Sequence, residues 1–487
     1  MYPGDFLIKI GDFIHKCLNK DAICASLLCY NVLRSLLMDT PLSHKGATVK
    51  QISLLFSVSF LIAVPFAVMY TGDTAVFSDW VRILANPCPL ITDYYLLGSL
   101  PAAFLNASLC CMVCTFILYF TDHDTLSASH LAGFFLVAAH CFYGLNLLNM
   151  WSPIIGIFLY SKVMKEKFRD HLDIAMLSTA FGPFMSELMF RYPLSIHIPI
   201  NLGPYTMNLW GAFLALLLGI FLGFAIPAML PGAKLLHRGF NLYNAGLAFG
   251  LLGLLLYSFM YRTFGVEDPK STTLGSGGVD YFLFCNLFFG IVFLICLIKG
   301  WSMNGKSLKG YRDILRCSGH DIDFLDAFGC SLTWINLGFY GMFMVLYFDF
   351  VILVTSGAGW TGATCGVTLA AISFVAAGQH PRNVWPILAG YAVVNGLMIG
   401  ICLVAGRPIA WTLSTQLYMN SLAFATGLCP FAGHFGVLVG IIAGALDAVL
   451  CVTTSQIHGG LVLYNGGLTA GLTAVILMPI LAHYSKR

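Results

Sequence analysis

From residue 51 to residue 482 the chain is a succession of apolar stretches, most of them near the length of a bilayer-crossing helix. They fall at 51–71, 94–120, 130–148, 151–163, 174–190, 207–231, 240–261, 281–299, 326–354, 361–378, 384–404, 411–429, 434–453 and 460–482. A helix needs about 20 predominantly apolar residues to span the hydrocarbon core. Fourteen such stretches in 487 residues leave no connection long enough for a soluble domain. Composition agrees. Apolar residues make up 58% and charged residues 10%, against about 25% charged in an average soluble domain. This balance excludes a soluble enzyme, a disordered chain and a nucleic-acid binder. The net charge of +3 is too small to argue for a polyanionic partner. The chain reads as an all-α polytopic membrane protein of about 14 hydrophobic helical segments, working inside the lipid bilayer.

Charge gives an orientation. With every stretch crossing and the N-terminus inside, 20 of the 25 Lys and Arg fall on the inner side. Only Arg82, Arg191, Arg262, Lys270 and Arg407 fall outside. Positive charge is retained in the cytoplasm, so both termini are expected there, in a cell inner membrane. Residues 1–50 form a cytoplasmic segment, and 51–72 a leading span. Phe6, Ile10, Phe13, Ile14 and Cys17 lie on one helical face opposite Lys9, Lys16 and Lys20. Such a helix lies on the membrane interface or on the protein's own inner face. Cys111 and Cys114 have CxxC spacing inside an apolar run and read as packing residues. No metal or other cofactor is expected.

The chain repeats itself. The run from His237 through Tyr243, Asn244 and Gly246 to Gly250 matches the run from His458 through Tyr464, Asn465 and Gly467 to Gly471. Upstream, Thr179 to Pro183 and Phe184 matches Thr426 to Pro430 and Phe431. Further upstream, Asn149 and Trp151 match Asn383 and Trp385, and Asn106 corresponds to Asn336 within a position. The copies cover 94–262 and 326–484, with 281–299 as a linking span and an insertion in the first copy near 191–210. Equivalent segments are seven spans apart. Seven is odd, so the copies are expected to face opposite ways, as inverted-topology repeats with their interface near the bilayer midplane.

The Thr426–Pro430 and His458–Gly471 segments together resemble an uncharacterised group of prokaryotic multispanning membrane proteins with a duplicated domain of unknown function. The resemblance covers both halves and implies a fold but no activity. More distantly, Gly239–Gly250 and Gly460–Gly471 are similar to a helix segment of urea transporters. That similarity implies an inverted-repeat channel for a small neutral solute.

Several polar residues inside apolar runs are candidates for a solute or ion pathway. Tyr243, Asn244, Tyr464 and Asn465 come first, because an Asn amide in hydrocarbon must find a partner. That partner is a solute or simply a neighbouring helix. Pro183 and Pro430 free carbonyls near Thr179 and Thr426, which makes either a ligand site or a plain kink. Asp447 sits deep in its span, where a carboxylate costs about 2.5–3.5 kcal/mol on insertion scales and commonly serves protons or ions. Its counterpart in the first copy is Ile226. Asn336 is a weaker candidate. Glu187 is expected to pair with Arg191 four residues on. His140, His380 and His434 have no metal-like spacing. The resulting expectation is a permease or channel for a small solute, coupled to a proton or cation if Asp447 titrates. A homo-oligomer is compatible with it. The alternative is a membrane-embedded enzyme acting on a lipid or lipid-linked substrate.

Overall fold

The computed structural model describes residues 44–202, 204–273 and 279–484. The expected amphipathic helix of residues 6–20 lies outside them. The first helices are α1 (Lys45–Thr71), α2 (Val76–Leu84), α3 (Leu100–Tyr119), α4 (Ala128–His140) and α5 (Trp151–Val163). Next come α6 (Leu172–Ser178), α7 (Gly182–Phe190), α8 (Leu209–His237), α9 (Asn244–Tyr257) and α10 (Phe282–Met303). The rest are α11 (Cys330–Val354), α12 (Gly362–Ala371), α13 (Pro381–Val404), α14 (Gln416–Ala425), α15 (Cys429–Phe435), α16 (Val437–Gln456) and α17 (Asn465–Tyr484). An antiparallel hairpin of β1 (Pro199–Leu202) and β2 (Tyr205–Asn208) occupies the insertion of the first copy.

Among the described residues, nine helices are long and apolar enough to cross a membrane: α1, α3, α8, α9 with its π-helical extension to Arg262, α10, α11, α13, α16 and α17. The chain is thus a multi-span membrane protein. The other five of the fourteen apolar stretches do not form unbroken long helices, which corrects the simplest expectation. α4, α5 and α12 are short. The stretches at 174–190 and 411–429 are each split by a 3₁₀ turn, at Thr179–Phe181 and Thr426–Leu428. The helix restarts at Pro183 and Pro430, which lack an N–H and suit a first helical turn.

Burial sorts the spans. Only 28% of the apolar window is buried inside the protein for α8 and for α13, against 67% for α9. The first two face lipid along most of their length, and α9 lies in the core. Between helices in lipid, close packing of small residues supplies the attraction. Gly156 of α5 lies against Gly219 and Gly223 of α8, and Gly390 of α13 lies against Ile441 and Gly444 of α16.

The same bonds recur in both copies. Asn106 Nδ2 donates to Cys141 O and Leu145 O (2.8 and 3.0 Å), and Asn336 Nδ2 to Val375 O and Gln379 O (2.9 and 2.8 Å). Each amide clamps the turn that follows a short helix. Asn149 donates to Gly144 O, and Asn383 to Gly378 O. Other contacts are exchanged between the copies. Asp93 accepts from Ala363 N at the start of α12, and Asp323 from Ala128 N at the start of α4. Leu463 N donates to Ala180 O, and Leu242 N to Gly427 O. α9 and α17 cross with Gly246 on Gly467, while Gly250 meets Leu468 and Gly471 meets Leu247. Each copy thus supplies the other with the same kinds of contact that it receives.

Candidate functional site

The crossing of α9 and α17 brings the two Tyr-Asn motifs together. A cavity of about 300 Å³ reaches them. Asp173, Lys234 and Ser129 line one part of it, and Tyr243, Asn244, Gly246 and Tyr464 another. The remaining wall is mostly aliphatic and aromatic. Small ligand sites have this character, apolar with a few placed polar groups.

The two tyrosines are both buried, yet they end differently. Tyr243 donates to Ala370 O at 2.5 Å and lies 2.9 Å from Ser373 Oγ. Among the described residues the Tyr464 hydroxyl has no partner within 3.5 Å, and Thr179 is the polar side chain that approaches it. The cause lies in α4. By register, Leu136 O is the counterpart of Ala370 O. The imidazole of His140 takes that carbonyl at 2.6 Å through Nδ1, and its Nε2 faces Leu463 O at 3.1 Å. His140 stands where the second copy has Phe374. A neutral imidazole donates to one of these carbonyls only. The His140 ring lies 5.3 Å from that of Tyr464 and 5.1 Å from that of Tyr143, whose hydroxyl is also unpartnered. Phe424 fills the centre, 5.0 Å from Tyr243 and 6.2 Å from Tyr464.

Among the described residues neither Asn244 Oδ1 nor Asn465 Oδ1 has a partner within 3.5 Å, though His458 approaches Asn465. A buried amide oxygen with no partner costs about 1–3 kcal/mol. Among the described residues His237 Nε2 has no hydrogen-bond partner, and the His458 ring has none within 3.5 Å, with Asn465 the polar side chain that approaches it. Unspent donors and acceptors therefore gather around the motifs from both copies.

The Thr-to-Pro breaks play a different part. The freed carbonyls of Ala180 and Gly427 are spent on Leu463 and Leu242, the residues just before the motif tyrosines. Thr179 Oγ1 donates to Met176 O, and Thr426 Oγ1 to Ala423 O. Gln379 Nε2 donates to Thr426 Oγ1 at 2.7 Å. Pro183 and Pro430 sit where their helices restart and so position the tyrosines from behind. Asn336 spends both amide protons on the clamp described above and accepts from Tyr311 Oη at 3.4 Å, which leaves it little for a solute.

Asp447 is fully buried but is not at the motif crossing. It lies within the second copy, bonded by Tyr391 Oη, Ser421 Oγ (3.3 Å) and Thr473 Oγ1 (3.5 Å). Glu187 does pair with Arg191, and Tyr261 Oη joins the pair. The Glu187 side chain is only 2% exposed, so this is not a surface contact. Among the described residues, no group of three or more His, Cys, Asp or Glu is placed to hold a metal.

The sequence pattern does not single out Tyr143, Phe424 or the exchanged Asp93 and Asp323 caps, and it shows His140 only as a histidine without metal-like spacing. One signal was available for the caps, since Asp93 precedes Asn106 by the same interval as Asp323 precedes Asn336. For His140 there was none, because its partner position is a Phe.

No curated protein and no solved structure matches the chain. A family model does match, in two segments at residues 73–262 and 303–483, one over each copy of the repeat. Those segments cover most of the sequence, and the chain therefore belongs to the family described as "Protein of unknown function (DUF1576)", a duplicated domain.

Proposed function

We propose that the protein is a permease or channel for a small solute, not an enzyme. In this reading it is built from two inverted repeats, and the solute passes between the Tyr-Asn motifs. Contacts between helix ends support the inversion. Lys45, at the start of α1, pairs with Asp326 just before α11 at 3.1 Å. Arg169 pairs with Asp122, joining the connection after α5 to the connection after α3. At the far end of α1, Tyr70 packs on Tyr281 just before α10, and Trp360 N reaches Asp280 at 2.9 Å. α1 therefore ends at the face where α10 and α12 begin. α1 packs along α3 as α10 packs along α11. The repeat then begins one helix earlier than the sequence matches, with α1 and α10 as counterparts. The basic residues Lys50, Lys162, Lys234 and Lys309 would share the inner face, in keeping with the positive-inside rule.

The observation that carries the transport reading is the cluster of unpartnered polar atoms at the cavity between the halves. A packed seam built for stability alone satisfies its polar groups. Here Tyr464 Oη and Asn244 Oδ1 line the cavity, and neither has a partner within 3.5 Å among the described residues. They offer both donor and acceptor sites to a small, mostly apolar or neutral polar molecule. The test is solute flux in proteoliposomes, followed by light scattering after an osmotic jump with a panel of small neutral solutes. At least one solute is expected to cross about tenfold faster than in protein-free vesicles. Single cysteines at Lys306 and Glu267, in a background without reactive cysteines, should label from opposite sides. Flux equal to protein-free vesicles for every solute would remove the transport reading, and labelling from the same side would remove the inversion.

A further inference from the structure

The two copies contain an internal control for Asp447. Its surroundings come from four helices: Tyr391 on α13, Ser421 on α14, Asp447 on α16 and Thr473 on α17. The registers that align Asn149 with Asn383, Thr179 with Thr426 and His237 with His458 give their counterparts directly. They are Ile157 on α5, Ile174 on α6, Ile226 on α8 and Leu252 on α9. Ile157, Ile226 and Leu252 are buried, and Ile174 is packed against the same core. One skeleton therefore carries an aliphatic plug in one half and a carboxylate with three hydroxyls in the other. The fold does not need the carboxylate, since the first half closes without it.

The substitution extends further along the same pair of helices. Thr454 Oγ1 lies 2.6 Å from Thr469 Oγ1, and Thr469 is bonded to Asn465 O at 3.3 Å. Thr473, Thr469 and Asn465 follow one another at intervals of four, on one face of α17. On α16, Asp447, Cys451 and Thr454 face them. The counterparts of Cys451, Thr454 and Thr469 are Leu230, Ala233 and Ala248. The second half thus holds a stripe of polar side chains at successive turns from Asp447 to Asn465 at the motif crossing, where the Asn465 backbone carbonyl accepts from Thr469. The first half has no such stripe.

We propose that Asp447 is a proton-binding site and that this stripe couples its protonation to occupancy of the Tyr-Asn site. The inference rests on the permease reading above. Binding forms one O–H bond on the carboxylate. The proton comes from water at one face and returns to water at the other, and nothing is oxidised or reduced. The new carboxyl O–H donates to a neighbouring hydroxyl oxygen, and that hydroxyl turns its own proton to another acceptor. Hydroxyls suit this because each both donates and accepts. The surroundings favour a proton over an alkali ion, for which one carboxylate and three hydroxyls make a sparse set of oxygens. The titratable groups facing Asp447 are the Tyr391 phenol and the Cys451 thiol. α14 and α17 present only Ser421 and Thr473. Among the described residues no Lys, Arg or His forms an ion pair with it.

The test uses the purified full-length protein, D447N, and a combined variant that installs the first-half plug (Tyr391→Ile, Ser421→Ile, Asp447→Ile and Thr473→Leu). Infrared difference spectra across a pH titration are expected to show a protonated-carboxyl band in the parent that both variants lack. In proteoliposomes a gradient of one pH unit should drive up to about tenfold solute accumulation at one-to-one coupling, and D447N should only equilibrate. A parent spectrum without a titrating band that D447N removes would overturn the proton site. Accumulation that follows a sodium gradient at fixed pH, and is lost in D447N, would overturn it in favour of an alkali ion. Flux that ignores the pH gradient in the parent would overturn the coupling. A titrating band with no flux of any solute would leave the proton site standing and sink the permease reading.

Discussion

The first half of the molecule closes around Ile157, Ile226 and Leu252, and the second closes the same space around Tyr391, Asp447 and Thr473. The clamps that hold the two halves are nevertheless alike, bond for bond: Asn106 does for the turn after α4 what Asn336 does for the turn after α12. Bonds that shape the backbone are duplicated, while the Asp447 carboxylate and the hydroxyls around it are confined to one copy. The difference separates residues the fold requires from residues it merely tolerates. In hydrocarbon that distinction is sharp, because an unnecessary polar group has no water to hide in.

The largest expected effect tests the shared skeleton. Asn106→Ala and Asn336→Ala each strip two buried carbonyls of their donor. Each should lower stability by about 2–6 kcal/mol, taking 1–3 kcal/mol for each carbonyl left unsatisfied. Thermal unfolding in detergent should find the two losses similar. Tolerance at one position and collapse at the other would break the claim that the halves rest on the same clamps.

A smaller effect is expected where the halves cross. A Cβ built on Gly246 would meet the Gly467 backbone, its Cα at 2.5 Å. One built on Gly467 would find its nearest neighbour, the Gly246 Cα, at 3.0 Å. Gly246→Ala should therefore cost about 1–3 kcal/mol, as overpacking does, and Gly467→Ala less. The same unfolding measurement ranks them. Equal costs would mean that the crossing opens symmetrically to admit either methyl.

These contrasts also explain how much of the molecule is legible in its sequence. The spans and the duplication were legible because both leave long patterns: apolar runs, and motifs repeated in register around His237 and His458. Asp447 was legible because a carboxylate inside an apolar run is rare. The short and broken helices were harder to see. The apolar length of 130–148 or 361–378 is the same whether the chain is helix throughout or helix followed by a turn held by Asn106 or Asn336. The division of labour among the candidates was also hidden. Asn336 and Asn465 look alike in sequence, and only their neighbours decide that one clamps a turn while the other leaves Oδ1 without a partner within 3.5 Å among the described residues.

The sharpest contrast carries the smallest energy. Tyr243→Phe removes a hydroxyl that bonds Ala370 O and Ser373 Oγ, so it should cost about 1 kcal/mol of stability. Tyr464→Phe removes a hydroxyl with no partner within 3.5 Å among the described residues, so stability should change less. If the free hydroxyl exists to meet a solute, the order reverses in transport. Tyr464→Phe should slow flux severalfold while shifting the melting temperature little, and Tyr243→Phe should lower the melting temperature with little change in flux. A third variant isolates the cause. His140→Phe copies Phe374 and returns Leu136 O to Tyr464, so the hydroxyl is spent within the protein. It should reproduce the flux loss of Tyr464→Phe although the tyrosine is still present. Undiminished flux in His140→Phe would mean that the unpartnered hydroxyl is a by-product of His140 and not a contact for the solute.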